Sequence, residues 1–251
     1  SQQTLASKAS QDYAGLFRAV PGVNVTQTSA RDLNITSRGA TGTLSLTGMQ
    51  EVFATQAAAG GIPFFGVLGM VLAIIGLCFK ITAVPMHFYA PDVYQGAPTP
   101  VTAFMASAAK AAAFAAMLRV LLQALPNFAD DYRPVVWTLA VVTVIGGSVM
   151  AVVQTNVKRM LAFSSISHAG FILIGIQAAS EAGTRAALFY LAAYTFMVAG
   201  SFAVVTVVGR AGDNAHDLSH YEGLAKRSPL LAFSFLIFLL AQAGVPLTSG
   251  F

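Results

Sequence analysis

Three side chains able to carry a proton sit where charge is costly: Lys80, Lys110 and His168. Lys110 lies in an alanine-rich apolar stretch, Val101 to Leu125, that holds no other charge until Arg119. Counted from Pro100 at about 1.5 Å per helical residue, its ammonium group is roughly 15 Å deep, near the midplane of a hydrocarbon core about 30 Å thick. Snorkelling cannot lift it to the head groups from there. Lys80 closes another apolar run just before Pro85. His168 follows Lys158 by ten residues, which sets the imidazole at about the depth of Lys110 counted from the same side. Histidine has the side-chain pKa nearest neutrality, and ionisable groups inside a bilayer mark ion or proton pathways. Together these residues point to charge movement within a membrane.

The elements that must hold them follow from composition. The chain is 56% hydrophobic and 10% charged, against roughly 25% charged for a soluble domain. Long apolar runs cover Pro63–Val84, Val101–Leu125, Val135–Val153, Leu161–Ala179, Ala186–Val208 and Leu230–Val245, most near the roughly 20 residues that a spanning helix needs. The predicted fold class is therefore all-α, a polytopic transmembrane helix bundle of about six spans over residues 62–251. A β-barrel would show segments of about ten residues with strict alternation, which this sequence lacks. Pro85 and Pro91 interrupt a stretch that stays apolar through Ala90. Proline removes a backbone donor and clashes with the preceding turn, so a discontinuous helix is predicted near Lys80–Pro85. Carbonyls exposed at such a break, and the negative end of the helix dipole, favour a cation such as protonated Lys80.

Polar side chains inside the runs extend the pattern. Helical spacing puts Ser164, Ser165, His168 and Gly175 on one stripe able to hold water, and Tyr190, Tyr194 and Ser201 on one face of the next span, where a packing role is favoured. Alanines around Lys110 allow close helix approach or leave room for water. No Asp or Glu lies within any run, so the carboxylate balancing a buried lysine is expected outside this sequence, and desolvation should make the lysine release its proton readily. Loops after the first, third and fifth spans carry Lys158, Arg159, Arg210, Lys226 and Arg227, which places them on the cytoplasmic side. Arg119 then reaches the far interface, where it snorkels.

Other chemistry is excluded or weak. The single cysteine, Cys78, forms no intrachain disulfide or Cys-based metal site and reads as a packing residue. His216 and His220 lack the glutamate of the zinc-protease pattern. The net charge of +4 comes mostly from span ends and suits lipid head groups rather than nucleic acid. No phosphate loop, nucleotide fingerprint or Ser/His/Asp set is present. Residues 1–61 are polar, with scattered Lys8, Arg18, Arg31 and Arg38, and read as a loop or poorly ordered lead-in. The Asn24 and Asn34 glycosylation patterns carry no weight without a secretory context. A start at Ser1 and a stop at Phe251, directly after a turn-like Gly-Val-Pro-Leu-Thr-Ser-Gly stretch, are what an internal fragment is expected to show.

The stretches Leu77–Phe104 (LCFKITAVPMHFYAPDVYQGAPTPVTAF), Ser107–Lys110 (SAAK), Asn156–Gly170 (NVKRMLAFSSISHAG), Lys226–Leu230 (KRSPL) and Ala243–Phe251 (AGVPLTSGF) resemble the subunit N family of respiratory complex I. The Asp92-Val-Tyr-Gln-Gly-Ala-Pro run is typical of that subunit rather than of its antiporter-like sisters or of multi-subunit sodium/proton antiporters, which are the alternative. The resemblance covers about Gly39 to Phe251. It implies a proton-translocating subunit of NADH:quinone oxidoreductase, multi-pass in a bacterial inner membrane. Lys80 would then match the family's lysine on the broken helix, Lys110 its central channel lysine and His168 a polar member of the hydrated axis. The resemblance implies no cofactor on this chain. NADH, FMN, iron-sulfur clusters and quinone are expected on partner subunits, with other membrane-arm subunits, lipid and protons as partners. In the family Lys80 pairs with a glutamate on an earlier helix and a further lysine follows shortly after the position of Phe251; neither position is present here.

Overall fold

The computed structural model describes residues 23–29, 32–37, 40–43, 50, 54–55, 64–209, 212–246 and 248, with side chains described within the bundle from residue 67 onward. Most of the 1–61 lead-in, with Lys8, Arg18, Arg31 and Arg38, lies outside these residues, as do Arg210 and the side chains of Asn24 and Asn34. The chain forms two units, Ser1–Pro63 with Arg119–Asn127 and Phe64–Leu118 with Phe128–Phe251. In the first, strands β1 (Val23–Ser29), β2 (Asp32–Ser37) and β3 (Ala40–Thr43) pair antiparallel in sequence order.

The second unit is an all-α bundle. Its helices are α1 (Phe64–Ile81), α2 (Tyr89–Gly96), α3 (Thr99–Phe104), α4 (Lys110–Leu118), α5 (Ala129–Val152), α6 (Val157–Gln177), α7 (Glu181–Gly209), α8 (Leu224–Arg227) and α9 (Pro229–Gln242). A π-helical turn, Met105–Ala109, joins α3 to α4 without a break. Such a turn inserts an extra residue per turn and is common at functional sites; here it ends directly at Lys110. Among the described residues four helices are long and apolar enough to span a bilayer: Thr99–Ala124, Pro126–Val152, Val157–Gln177 and Glu181–Gly209. The first and last of the six runs form shorter apolar helices, Val67–Ile81 and Pro229–Gln242.

The discontinuity lies where proline chemistry predicts it. Helix α1 stops at Ile81, Thr82 turns left-handed with φ 64°, and the Val84–Pro85 peptide is cis. Breaking a helix in an apolar setting strands backbone groups that side chains must satisfy. The Val84 amide donates to Thr143 Oγ1 of α5 at 3.0 Å, and the Tyr89 hydroxyl donates to the Phe79 carbonyl at 2.9 Å. Thr143 is fully buried. Thr143→Val keeps its shape but leaves the Val84 amide unpaired, a loss of about 1–3 kcal/mol. The thermal midpoint of the assembled protein should fall for Thr143→Val and hold for Thr143→Ser.

Helix α6 is the central element. Of its spanning window 67% is buried, against 22% for that of α5 and 44% for that of α7, so α6 is enclosed while α5 turns Val135, Trp137, Ile145 and Val149 outward. Apolar side chains on that outer face suit lipid contact. Helices α5 and α6 pack against each other, as do α6 and α7. A Cβ at Gly170 of α6 would lie 2.6 Å from Val144 Cγ2 and 2.8 Å from the Val144 nitrogen, so the α5–α6 contact there is backbone to backbone.

Candidate functional site

The rod of α3, the π-helical turn and α4 carries Lys110 into the interior, where it is 3% exposed. Its Nζ donates to the Ser165 carbonyl of α6 at 2.7 Å and also to Ser165 Oγ. A helical carbonyl has a second lone pair beyond the one used in the helix ladder, and the ammonium group occupies it. Burying a cation requires such partners, because without them desolvation outweighs what packing returns. Around Ser165 stand two phenols, Tyr94 of α2 and Tyr194 of α7. The Tyr194 hydroxyl is buried without a hydrogen-bond partner among the described residues.

One turn beyond Ser165 on α6, the buried His168 places Nδ1 2.7 Å from the Tyr190 hydroxyl. Its ring lies 5.0 Å from that of Tyr194, centre to centre. Lys110, Ser165, His168, Tyr190 and Tyr194 thus converge where α4, α6 and α7 meet. A second polar line leaves from Ser164, whose Oγ donates to Gln242 Oε1 of α9 at 3.2 Å. Gln242 Nε2 donates in turn to Ser201 Oγ at 2.6 Å. Groups alternating as donor and acceptor can pass a proton by exchanging roles, which is the chemistry that this arrangement permits.

Several sequence expectations change here. Ser164, Ser165 and Gly175 do not share one wet stripe: adjacent residues on α6 point about 100° apart, so Ser165 meets α4 while Ser164 meets α9. Gly175 is a contact point, where a Cβ would lie 2.9 Å from Ala187 Cβ and 2.9 Å from the Gly183 carbonyl. Of the face carrying Tyr190, Tyr194 and Ser201, Tyr194 packs in the hydrophobic core and Ser201 donates to the Met197 carbonyl at 3.0 Å, as the favoured packing role expects, while Tyr190 meets His168 and Ser201 also accepts from Gln242. Lys158 is not a loop cation but the second residue of α6 and 1% exposed. Gln242 and Tyr94 were not singled out, though a lone amide in an apolar run and the tyrosine of Asp92-Val-Tyr-Gln were visible signals. Lys80 is not brought to this cluster. It sits at the end of α1 on the exposed surface, with no side-chain hydrogen bond or ion pair among the described residues.

Fold and site together define a polytopic helical membrane protein with a titratable ammonium group held in its core beside a histidine–tyrosine pair. Residues 37–251 match the family described as NADH:quinone oxidoreductase/Mrp antiporter, transmembrane region, and the chain belongs to that family. It is 58% identical over 184 residues to NADH-quinone oxidoreductase subunit N 3 of Streptomyces griseus, covering 73% of this chain and 33% of the relative. It is similar in structure to a chain of respiratory complex I from Thermus thermophilus with bound aureothin, with TM-score 0.62, 34% identity and coverage of 80% of this chain and 45% of that one. A chain of the Mrp complex from Dietzia shares the fold, with TM-score 0.72, 24% identity and coverage of 82% and 37%. The curated relatives are longer: the chain spans 33% of the Streptomyces protein and 40% of the subunit N of Mycobacterium bovis.

Proposed function

We propose that this chain is part of subunit N of a proton-pumping NADH:quinone oxidoreductase, in the inner membrane of a bacterium, among other membrane-arm subunits. The observation that carries the reading is the buried Lys110 ammonium group held on Ser165, one helical turn from the His168–Tyr190 pair. Lys110 takes and releases the proton. Ser165 and the Tyr94 and Tyr194 phenols receive its hydrogen bonds in turn, and His168 with Tyr190 passes the proton along the midplane. Lys80, exposed at the helix break, exchanges charge partners with a carboxylate elsewhere in the subunit, and the changing field shifts the proton affinity of Lys110. Nothing on this chain would perform redox chemistry; NADH, FMN, iron-sulfur clusters and quinone belong to partner subunits, and quinone reduction there drives the cycle.

The test is NADH-driven proton uptake by inside-out membrane vesicles. Lys110→Ala should abolish or sharply reduce it while the complex still assembles, and normal uptake would defeat the relay. A cation/proton antiporter subunit is the rival reading. It predicts sodium-dependent proton flux without NADH oxidation, and the Asp92-Val-Tyr-Gln run together with the subunit N relative weighs against it.

A further inference from the structure

Far from Lys110 along the chain, the loop after α7 returns to the start of two helices at once. Asp213 Oδ2 accepts from the Thr99 amide at 3.0 Å and Oδ1 accepts from Thr99 Oγ1 at 2.5 Å, at the first residue of α3. The same carboxylate lies 3.6 Å from Lys158 Nζ at the start of α6. Lys158 also donates to the Ala97 carbonyl, just before α3, at 2.6 Å. The loop is pinned to α6 by backbone as well: the Val157 amide donates to the His216 carbonyl at 2.7 Å and the Leu218 amide to the Thr155 carbonyl at 2.9 Å. His216 Nε2 stands 3.4 Å from Asp213 Oδ1.

We propose that Asp213 is a positioning residue for the relay: it locks the entry of the rod that carries Lys110 to the entry of the helix that carries Ser165, and so fixes where the Lys110 ammonium group is seated. The inference rests on the relay reading above. Lys158 and Ser165 are two turns apart on nearly the same face of α6, a rise of about 10 Å. Thr99 stands at the head of the rod that ends, through the π-helical turn, in Lys110. Both helices are stiff over that length, so a slip at the Asp213 node becomes a slip of Lys110 against Ser165. Among the described residues Asp213 is the only carboxylate within ion-pair distance of Lys158, since Asp92 is taken by Arg159. A buried ammonium that loses its carboxylate is strongly destabilised where it stands. Asp213 is also held left-handed at φ 46°, a conformation that persists when surrounding contacts dictate it. Burial works against its charge, but the Thr99 bonds and the neighbouring Lys158 and His216 side chains outweigh that and keep the carboxyl below its usual range.

The experiment uses the assembled complex in proteoliposomes, carrying Asp213→Ala or Asp213→Asn. Three quantities are read: protons moved per NADH oxidised, the pH profile of pumping, and amide exchange of the peptide covering residues 97–104. Asp213→Ala should speed exchange at Thr99, lower the proton yield about 10- to 100-fold, as misplacement by an ångström does, and displace the pH profile. Asp213→Asn, which keeps one acceptor for Thr99 but no charge, should fall between it and the unchanged protein, and it carries the test if the alanine variant does not assemble. Faster exchange with unchanged yield and profile would overturn the positioning role, and so would reduced amounts of complex whose yield and profile are normal. Unchanged exchange in Asp213→Ala would show that the lock itself is wrong. Failure of the relay reading shows elsewhere, as normal pumping in Lys110→Ala, while exchange at residues 97–104 still reports on the lock.

Discussion

Lys110→Arg should pump almost as poorly as Lys110→Met, about 100-fold below the unchanged complex, the scale of a lost proton-transfer group. The comparison separates charge from titration. If the site only needed a fixed positive charge to satisfy the Ser165 carbonyl and Oγ, arginine would serve, because a guanidinium donates more hydrogen bonds than an ammonium group and stays charged. A relay needs the opposite property, a nitrogen that gives its proton up and takes it back. Arginine cannot do so within proteins, whereas a buried lysine can. Methionine fills about the same volume with no charge and controls for packing, and amounts of assembled complex control for folding. Pumping by Lys110→Arg near the unchanged rate would leave Lys110 as a structural cation and remove the proton from the mechanism.

That Lys110 belongs to a long apolar helix was legible from the sequence, and the structure buries it inside the bundle. The break after Lys80 was legible too, since Pro85 cannot continue a helix; the exact stop at Ile81 depended on the left-handed turn at Thr82, for which a threonine gives no local signal. What spacing could not supply is which helix stands opposite. Ser164 and Ser165 look equivalent in sequence, yet α4 takes one and α9 the other. Lys158 illustrates the same limit more sharply. By local pattern it is a cation at the mouth of a span, yet it is buried, with its ammonium group meeting the distant Ala97 carbonyl and Asp213 carboxylate. Read from the sequence as a loop cation, Lys158 instead pairs with the Asp213 carboxylate at 3.6 Å. For Lys110 the partner among the described residues is a serine, in keeping with a charge that comes and goes.

Placement of Ser165 in turn depends on how closely α5 and α6 approach, and the second large effect is expected there. At Gly147 of α5 a Cβ would fall on the backbone nitrogen and Cα of Ser167, and 3.0 Å from the Phe163 carbonyl. Backbone atoms cannot swing aside as a side-chain end does, so Gly147→Ala forces the two helices apart. In lipid no hydrophobic effect draws helices together, and close van der Waals contact between small residues is what holds them. The loss should reach about 3 kcal/mol, the upper end for overpacking, and should disrupt the Ser148–Ser167 hydroxyl contact of 2.9 Å beside it. Gly146 is its neighbour in sequence but not in consequence: a Cβ there meets only Val84 Cγ2 at 3.4 Å, so Gly146→Ala should stay within about 0.5 kcal/mol. Thermal unfolding of the assembled protein measures both. Equal midpoints for the two variants would show that the α5–α6 seam is looser than its geometry states. The seat of Lys110 would then have to be fixed by the rod and its Thr99 anchor alone.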